Sequence, residues 1–561
     1  MPAAAREHEN FSVATPFEVG DSPAGNYLAA LIAGDDRDTG AAATFFGEAL
    51  RFDPHNQQLL ERTFVAAVSN GNMQEAFGLA ERLLARDPHN TLAHLAIGVR
   101  AVKARRYSAA RAQFTRGGVG QEHDLTATLL SAWTYAGNRD YRKALDVLDK
   151  LNDPGFAIFR EYHKALIADL GNNVPVATRA FKAAYKTDKN TLRLVDAYGR
   201  FLCRHGKKDE AIKVYQAFDQ ILPNHPTVEA ALKALNDGKR LEPIVRTPEQ
   251  GAAEVLYGLG AAGGRQGDDL AALIYLRLSL YLDPNNSLAT LTLGDLYERL
   301  KQLETAIDIY QSVPDSDPLR LTADIETAEV LAKLGQTDKA ARALGDIITD
   351  HPDNEDALTA LGNLERAQKH YPEAIDAYTK AIAHSKKPEK ANWPLYYFRG
   401  IAYERNKEWP PAEADFQHAL KLNPDQPLVL NYLAFSWVDK GIHLKEALPM
   451  LKLAVELRPT DGYIVDSLGW ADYKLGHYDD AVKELERAVD LKPADPVINE
   501  HLGDAYWRVG RKLEAHFQWN HARDMKPDAE ELPKILQKIA HGLDSANKPA
   551  AAEAAPAKSG G

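Results

Sequence analysis

The sequence predicts an all-α fold, a right-handed superhelical solenoid built from about fourteen helical hairpins. Small residues recur with a period of 34 residues along most of the chain. Between them, apolar residues recur at the three- and four-residue intervals of amphipathic helices. Hydrophobic residues make up 45% of the chain, which supports a folded protein. Such an array buries a continuous core by stacking its hairpins.

The period is clearest from Asp461 to Pro527, where two units stand in tandem. Small residues and a proline hold the same positions in both units, 34 residues apart: Gly469, Gly476, Ala481, Ala488 and Pro493, then Gly503, Gly510, Ala515, Ala522 and Pro527. A glycine such as Gly476 predicts the turn between the two helices. Gly469 and Ala481 predict a close crossing of those helices, where a larger side chain would overpack.

An alanine near the start of each second helix marks the repeats along the whole chain. The marks are Ala42, Ala76, Ala110, Ala144, Ala177, Ala211, Ala272, Ala306, Ala340, Ala374, Ala412, Ala447, Ala481 and Ala515. Nine of the thirteen intervals equal 34 residues. The array therefore predicts fourteen hairpins.

The longest interval, from Ala211 to Ala272, predicts a break in the array. Thr227 to Leu235 reads as one additional helix, and two prolines among charged residues then indicate an extended connection. The predicted organisation is a flexible N-terminal segment (1–22), a six-repeat block (23–225), an extra helix and linker (226–250), an eight-repeat block (251–527), a capping helix (528–543) and a disordered tail (544–561). The cap is expected to place Leu532, Ile535, Leu536 and Ile539 on one face.

Composition excludes several classes of function. The net charge of −12 and the pI of about 5.9 disfavour nucleic acid as a partner, because its binding usually requires a basic face. The single cysteine, Cys203, rules out an intramolecular disulfide and a multi-cysteine metal site. It is expected to be a small packing residue in a first helix. No apolar run reaches the ~20 residues of a transmembrane helix.

The sequence offers no candidate catalytic, cofactor-binding or metal-binding residue. Gly258 to Gly263 matches the GxGxxG spacing of dinucleotide-binding proteins. That motif requires a preceding strand, whereas here it falls in a predicted helix, where small residues permit close packing. No HExxH, nucleophile elbow or phosphate-binding loop is present. We therefore expect a protein that is not an enzyme and has no cofactor.

The remaining candidate site is the concave groove lined by the first helices of the hairpins. Outward positions in the last four repeats combine aromatic and charged side chains. The predicted protein-binding residues are Tyr397, Asn431, Phe435, Tyr463, Asp466, Trp470, Tyr473, Glu500, Asp504, Trp507 and Arg508. Tyr and Trp contribute strongly to interfaces because they bury large areas with few rotatable bonds. Core packing is an equally good explanation for the aromatic ones.

Three stretches carry a resemblance to a known family: 247–278, 431–451 and 462–519. The chain resembles long alphaproteobacterial tetratricopeptide-repeat (TPR) proteins, and is similar to the outer-membrane TPR lipoproteins that bind and activate a carboxyl-terminal processing protease. The resemblance implies a periplasmic adaptor without catalytic activity. It also implies association with the envelope through partners.

The expected function is a scaffold that binds a protein or peptide partner in the groove of the eight-repeat block, with the six-repeat block as a second docking surface. A cytoplasmic assembly factor or co-chaperone is the alternative, because the first residues as written carry no export signal. A third, disfavoured hypothesis is an enzyme or cofactor-dependent protein of the envelope.

Overall fold

The structure is a computed structural model that describes residues 22–117, 124–385 and 389–543. Within these residues it contains thirty α-helices and no β-strand, which confirms the predicted all-α class. The predicted flexible segment, except for Ser22, and the predicted disordered tail lie outside the described residues.

The described chain divides into two compact units, between Leu364 and Glu365. The helices of the first unit are α1 (Pro23–Asp35), α2 (Thr39–Phe52), α3 (Gln57–Asn70), α4 (Met73–Leu84), α5 (Thr91–Lys103), α6 (Tyr107–Gly117), α7 (Leu125–Gly137), α8 (Tyr141–Leu148), α9 (Ala157–Leu170), α10 (Val174–Thr187), α11 (Leu192–Arg204), α12 (Lys208–Asp219), α13 (Pro226–Asn236), α14 (Pro248–Gln266), α15 (Asp269–Leu282), α16 (Ser287–Arg299), α17 (Leu303–Gln311), α18 (Arg320–Lys333), α19 (Thr337–Asp350) and most of α20 (Glu355–Ala367).

The second unit continues the same pattern. Its helices are α21 (Tyr371–His384), α22 (Trp393–Arg405), α23 (Trp409–Leu422), α24 (Pro427–Lys440), α25 (Leu444–Leu457), α26 (Gly462–Leu475), α27 (Tyr478–Leu491), α28 (Pro496–Arg508), α29 (Lys512–Asp524) and α30 (Leu532–His541).

Consecutive helices pair as antiparallel hairpins, with α13 and α30 outside the pairs. Each of the fourteen marker alanines is the fourth residue of its second helix and is buried. Buried side chains form clusters that run from one hairpin into the next, such as the cluster that includes Ala412 and Ile498. The repeat pattern in the sequence therefore located the hairpins correctly.

Glycine permits the close crossing of the two helices within a hairpin. A Cβ atom on Gly294 would lie 2.3 Å from the ring of Tyr310, and one on Gly469 would lie 2.7 Å from Leu485 Cγ. Both distances are far below van der Waals contact. The predicted role of Gly469 is thus confirmed.

Polar side chains before the first helices fix where those helices begin. Asn56 Oδ1 accepts a hydrogen bond from the Leu59 amide at 3.1 Å, and Asp495 Oδ1 accepts from Val497 at 2.9 Å. Each such cap contributes about 1 kcal/mol to helix stability. The left-handed Gly476 (φ 83°) ends α26 at the predicted turn.

An extra helix and an extended connection follow the sixth hairpin. The helix is α13, and the residues between it and α14 form neither helix nor strand. The connection lies against α11, because the Leu241 amide donates to Cys203 Sγ at 3.5 Å and Arg200 donates to the Glu242 carbonyl at 3.0 Å. Cys203 is half-buried and packs against the core, as expected.

The 226–250 segment does not separate two compact units. Helices α14 and α15 pack on the first helices α3, α5, α7 and α9. Residues such as Val255 and Leu278 share one core cluster with residues of those hairpins. The chain thus turns back after α13 and places its seventh hairpin against the preceding six.

The last helix, α30, packs on α29 as a cap, but its predicted apolar face needs correction. Ile535 is fully buried, whereas Leu536 is 45% exposed. Leu536 follows Ile535 directly and is rotated by about 100° around the helix axis, away from α29. Leu532 and Ile539 are half-buried.

Candidate functional site

The first helices of the second unit, α22, α24, α26 and α28, carry all eleven predicted groove residues. Helix α26 packs on both α24 and α28, so these helices form a continuous surface, here called the first-helix face. The structure separates the eleven residues into three groups: partly exposed side chains, core side chains, and side chains covered by α30.

Trp470 is at the centre of the partly exposed group. Its ring stacks on Tyr473, with centroids 4.7 Å apart, and on His501, with centroids 4.0 Å apart. His501 Nδ1 lies 2.9 Å from an oxygen of the buried Asp466. Asp466 therefore orients the imidazole against which Trp470 rests.

Other aromatic and charged residues extend this group. Tyr463 is 41% exposed, and the Lys492 ammonium lies 5.2 Å from its ring centre. Phe435 and Asn431 are half-buried on α24. Arg508 is exposed and its Nε donates to the Tyr473 hydroxyl at 3.4 Å.

Tyr397 is a core residue rather than an open one. It is 9% exposed, and its ring lies 6.2 Å from Phe416 and 6.1 Å from Tyr432. Burial raises its pKa to about 12. A partner on this surface would not reach most of its ring.

Glu500, Asp504 and Trp507 are covered by the C-terminal helix. Lys538 Nζ donates to Glu500 Oε1 and to Asp504 Oδ2, both at 2.7 Å. A Cβ atom on Gly542 would lie 2.2 Å from the Trp507 ring, so the end of α30 lies directly against the indole. The first-helix face therefore ends at α28.

The charges under α30 form a buried network. Burial raises the pKa of Asp504, although Lys538 opposes the shift. Burial also disfavours the charged form of Lys538, but Asp504 and Glu500 outweigh it and raise the pKa of that ammonium. Trp519 Nε1 donates to Asp504 at 2.9 Å. Sequence reasoning missed Lys538 because its partners lie more than thirty residues away.

A spacing of 35 residues connects neighbouring first helices. It joins Asp466 to His501 and Tyr473 to Arg508. The same spacing joins Glu298 to Lys333 in the first unit. Complementary residues one repeat apart were thus the signal that could have identified His501 as part of the site.

The corresponding face of the first six hairpins is filled by the chain itself. The hydroxyls of Thr126 on α7 and Tyr275 on α15 lie 3.5 Å apart, and Lys103 at the end of α5 donates to the Leu282 carbonyl at 2.8 Å. Trp133 lies against Gly251 of α14. In the conformation described, α14 and α15 therefore occupy this face, and a second docking surface on this block stays a prediction.

Acidic residues gather on α16 and α18. Burial, together with Glu329 and Asp295, raises the pKa of Glu326 to about 7. Burial also raises the pKa of Asp295, which accepts a hydrogen bond from Tyr310 at 2.8 Å. Among the described residues, no group of His, Cys, Asp and Glu is arranged to hold a metal ion.

The GxGxxG match lies within α14 and not after a strand. A Cβ atom on Gly260 would be 2.9 Å from Leu276 Cγ, so this glycine permits the close crossing of α14 and α15. The prediction that the match reflects helix packing is confirmed. In the part of the chain that the structure describes, no helix has both the length and the apolar composition needed to cross a membrane.

Three segments of the chain match family models of TPR proteins. Residues 469–510 match a model described as "TPR repeat", and 325–391 and 289–319 match two models described as "Tetratricopeptide repeat". A TPR repeat-containing protein of Pseudomonas aeruginosa is 30% identical over 193 residues, which cover 34% of this chain and 31% of that protein.

Two further matches are more distant. Protein O-mannosyl-transferase TMTC1 of Homo sapiens is 26% identical over 186 residues, 32% of this chain and 20% of that protein. The chain thus spans about a third or less of the length of these relatives. The solved APC/C hetero-tetramer Cut9-Hcn1 aligns with 93% of this chain and 97% of its own at 15% identity, with a TM-score of 0.40. At that similarity it indicates nothing about what this chain binds.

Proposed function

We propose that this chain, which carries tetratricopeptide repeats, is a scaffold without catalytic activity that holds a protein or peptide segment against its first-helix face. Stacked helical pairs of this kind present extended binding surfaces. The observation that carries the proposal is the partly exposed aromatic row on α24 and α26: Phe435, Trp470 and Tyr473, with Tyr463 at its edge.

This row has the composition of a binding surface. The rings of Trp470 and Tyr473 are held in place before binding, because they stack on each other and His501 of α28 stacks on Trp470. Rigid aromatic side chains lose little conformational freedom on binding and contribute a large share of interface energy. The exposed Arg508 and Lys492 beside them provide polar contacts that would fix the direction of a bound segment.

The proposed location is the periplasmic side of the bacterial envelope, with a processing protease or an assembly machine as the partner. Support for this comes from the resemblance of 247–278, 431–451 and 462–519 to TPR adaptors. A cytoplasmic TPR assembly factor or co-chaperone is the second candidate. The match to an O-mannosyl-transferase covers a fifth of that protein and does not by itself favour catalysis.

Affinity capture from the native host tests the binding face. We expect a protein partner that the unaltered chain retains and that Trp470→Ala loses. Trp409→Ala is the matched control, because Trp409 is also half-buried in the second unit but lies on the second helix α23. Equal loss in both variants, with unchanged circular dichroism, would count against the first-helix face as the site.

Fractionation of host cells tests the location separately. The envelope proposal predicts that the chain and its captured partner appear together in periplasmic or membrane fractions, and that the partner is released when the chain is deleted. Recovery of both in the cytoplasmic fraction would favour the assembly-factor alternative while leaving the scaffold proposal intact.

A further inference from the structure

The first six hairpins present a second first-helix face, on α3, α5, α7, α9 and α11, and α14 and α15 lie along it. This packing differs from that between consecutive hairpins. It joins residues that are far apart in the sequence, as in the hydrogen bond from the Lys103 ammonium to the Leu282 carbonyl of α15 at 2.8 Å, across 179 positions. Helix α14 reaches this face through the connection that follows α13, so it arrives there as a separately tethered segment.

Two glutamates anchor α14 to the face. Glu254 is 3% exposed. It accepts hydrogen bonds from Arg193 Nε at 2.9 Å and from the Tyr162 hydroxyl at 3.1 Å. One turn and a half earlier on α14, Glu249 accepts from the Tyr107 hydroxyl at 2.6 Å and pairs with Arg105 Nε at 3.2 Å. The anchors come from α11, α9 and the α5–α6 hairpin.

A small residue between the anchors allows close approach. Gly251 lies under the ring of Trp133, and a Cβ atom there would be 2.2 Å from Trp133 Cζ3. Trp133 is itself fixed, because its Nε1 donates to His163 Nδ1 at 3.1 Å. The face thus contacts the two carboxylates of the helix with two arginines and two tyrosines, and it contacts the small residue with an indole.

This pattern is that of a binding groove with its ligand in place. The best-attested use of buried charge pairs is to fix register, and contacts between separate units of one chain resemble those of transient complexes. The two glutamates lie beside apolar side chains of α14 such as Val255, which is fully buried. The tethered helix has a high effective concentration and therefore excludes partners.

We propose that α14 is a ligand in cis: the face of the first six hairpins recognises a helix that carries a small residue between two glutamates, and the chain's own α14 keeps this face closed to partner helices of the same chemistry. This inference is independent of the proposed function of the second unit. It predicts that weakening the cis helix opens the face to the same helix supplied in trans.

The test uses the full chain and a fluorescently labelled synthetic peptide of residues 247–284, which contains α14 and α15. In the chain, Gly251→Leu introduces a side chain where Trp133 leaves no space, and Glu254→Gln removes the buried charge without changing shape. Gly345→Leu is the control, because a Cβ atom at that helical glycine of the same unit meets nothing within 4 Å.

Fluorescence anisotropy should show the peptide binding to Gly251→Leu and Glu254→Gln at least about tenfold more tightly than to the unaltered chain or to Gly345→Leu, since the competing cis helix is weakened. A peptide carrying Glu254→Gln should bind the same variants more weakly. Absence of binding to both variants would overturn the proposal, as would equal binding to all four chains.

Trp133 supplies a direct readout of displacement. It is one of seven tryptophans, and its ¹⁹F resonance in 5-fluorotryptophan-labelled chain can be assigned with Trp133→Phe. The proposal predicts that this resonance shifts in Gly251→Leu and returns when the peptide is added.

If Gly251→Leu unfolds the six hairpins, the Glu254→Gln variant provides the test. Loss of helicity of the six hairpins in that variant too would identify α14 as part of the core and contradict the proposal.

Discussion

At the residue scale, the candidate site is formed by side chains from neighbouring repeats. Asp466 orients His501, and His501 supports Trp470, so one aromatic contact depends on two hairpins. The sequence predicted Trp470 and Tyr473 from their outward helical positions. It could not separate them from Tyr397, because the ring of Tyr397 is enclosed by Phe416 of α23 and Tyr432 of α24, which lie on other helices.

Gly469→Ala tests the close crossing within a hairpin. The new Cβ atom would lie 2.7 Å from Leu485 Cγ and 3.2 Å from the Leu485 amide nitrogen, so the helices must separate, and overpacking of this kind costs ~1–3 kcal/mol. Gly345→Ala should instead stabilise α19 by about 0.5–1 kcal/mol, since alanine favours helix and meets no atom there. Chemical denaturation measures the free energy of unfolding of both variants. Equal changes in the two would refute the argument that Gly469 permits a close helix crossing.

Glu326 should make the first unit's stability depend on pH. Burial holds its pKa at about 7, above the ordinary 4.5, so the folded state favours the protonated carboxyl. That stabilisation is complete below pH 4.5 and is lost as pH rises through 7. Glu326→Gln, which mimics the protonated form, should therefore match the unaltered chain at pH 4.5 and exceed it by about 2 kcal/mol at pH 8.

Thermal unfolding at the two pH values provides the measurement. Glu304→Gln is a control carboxylate, since it lies in the first turn of α17 in the same unit. A gain at pH 8 that is the same for both variants would show that general charge repulsion, and not the burial of Glu326, causes the effect.

At the element scale, the two helices with unusual roles are α14 and α30. The sequence predicted both as helices, because amphipathic spacing and caps are local properties. It did not predict that α14 fills the face of the first six hairpins or that α30 covers Glu500 and Asp504. Those contacts depend on the three-dimensional path of the chain. Residues that pair across 38 positions, such as Glu500 and Lys538, show no local sequence pattern that would predict the pair.

Lys538→Met should loosen the C-terminal end selectively. The substitution keeps the length of the side chain but leaves Glu500 and Asp504 buried without their cation, and loss of one partner of a buried pair costs ~3–5 kcal/mol. Hydrogen exchange should accelerate in α28 to α30 and stay unchanged in α22 to α25. Lys534→Met is the matched control, because Lys534 is exposed on the same helix.

The effect of Lys538→Met should weaken at low pH. Burial raises the pKa of Asp504, so this carboxyl becomes neutral on moderate acidification and no longer needs a cation. Exchange rates of α30 in the variant and the unaltered chain should therefore converge as pH falls, after correction for the intrinsic rate. A difference that persists at every pH would assign the effect to packing instead of charge.

At the scale of the whole molecule, the repeat period predicted the fold class, the fourteen hairpins and the additional helices. It did so because local features recur from hairpin to hairpin: every marker alanine is buried, and many hairpins add a glycine at the crossing or a polar cap. The repeat period could not predict which surfaces of the array are exposed and which are covered by other helices. Equivalent faces of the array are filled by α14 and α15 in the first unit and partly exposed around Trp470 in the second.

Site-specific photocrosslinking in the native host tests the central claim, that a partner lies on the first-helix face of the second unit. Benzoylphenylalanine would replace Tyr463, which is 41% exposed on that face, or Phe517, which is 61% exposed on the second helix α29. We predict a defined protein adduct from position 463, lost in Trp470→Ala, and none from position 517. An adduct from 517 alone, or adducts from 463 that Trp470→Ala leaves unchanged, would contradict the account.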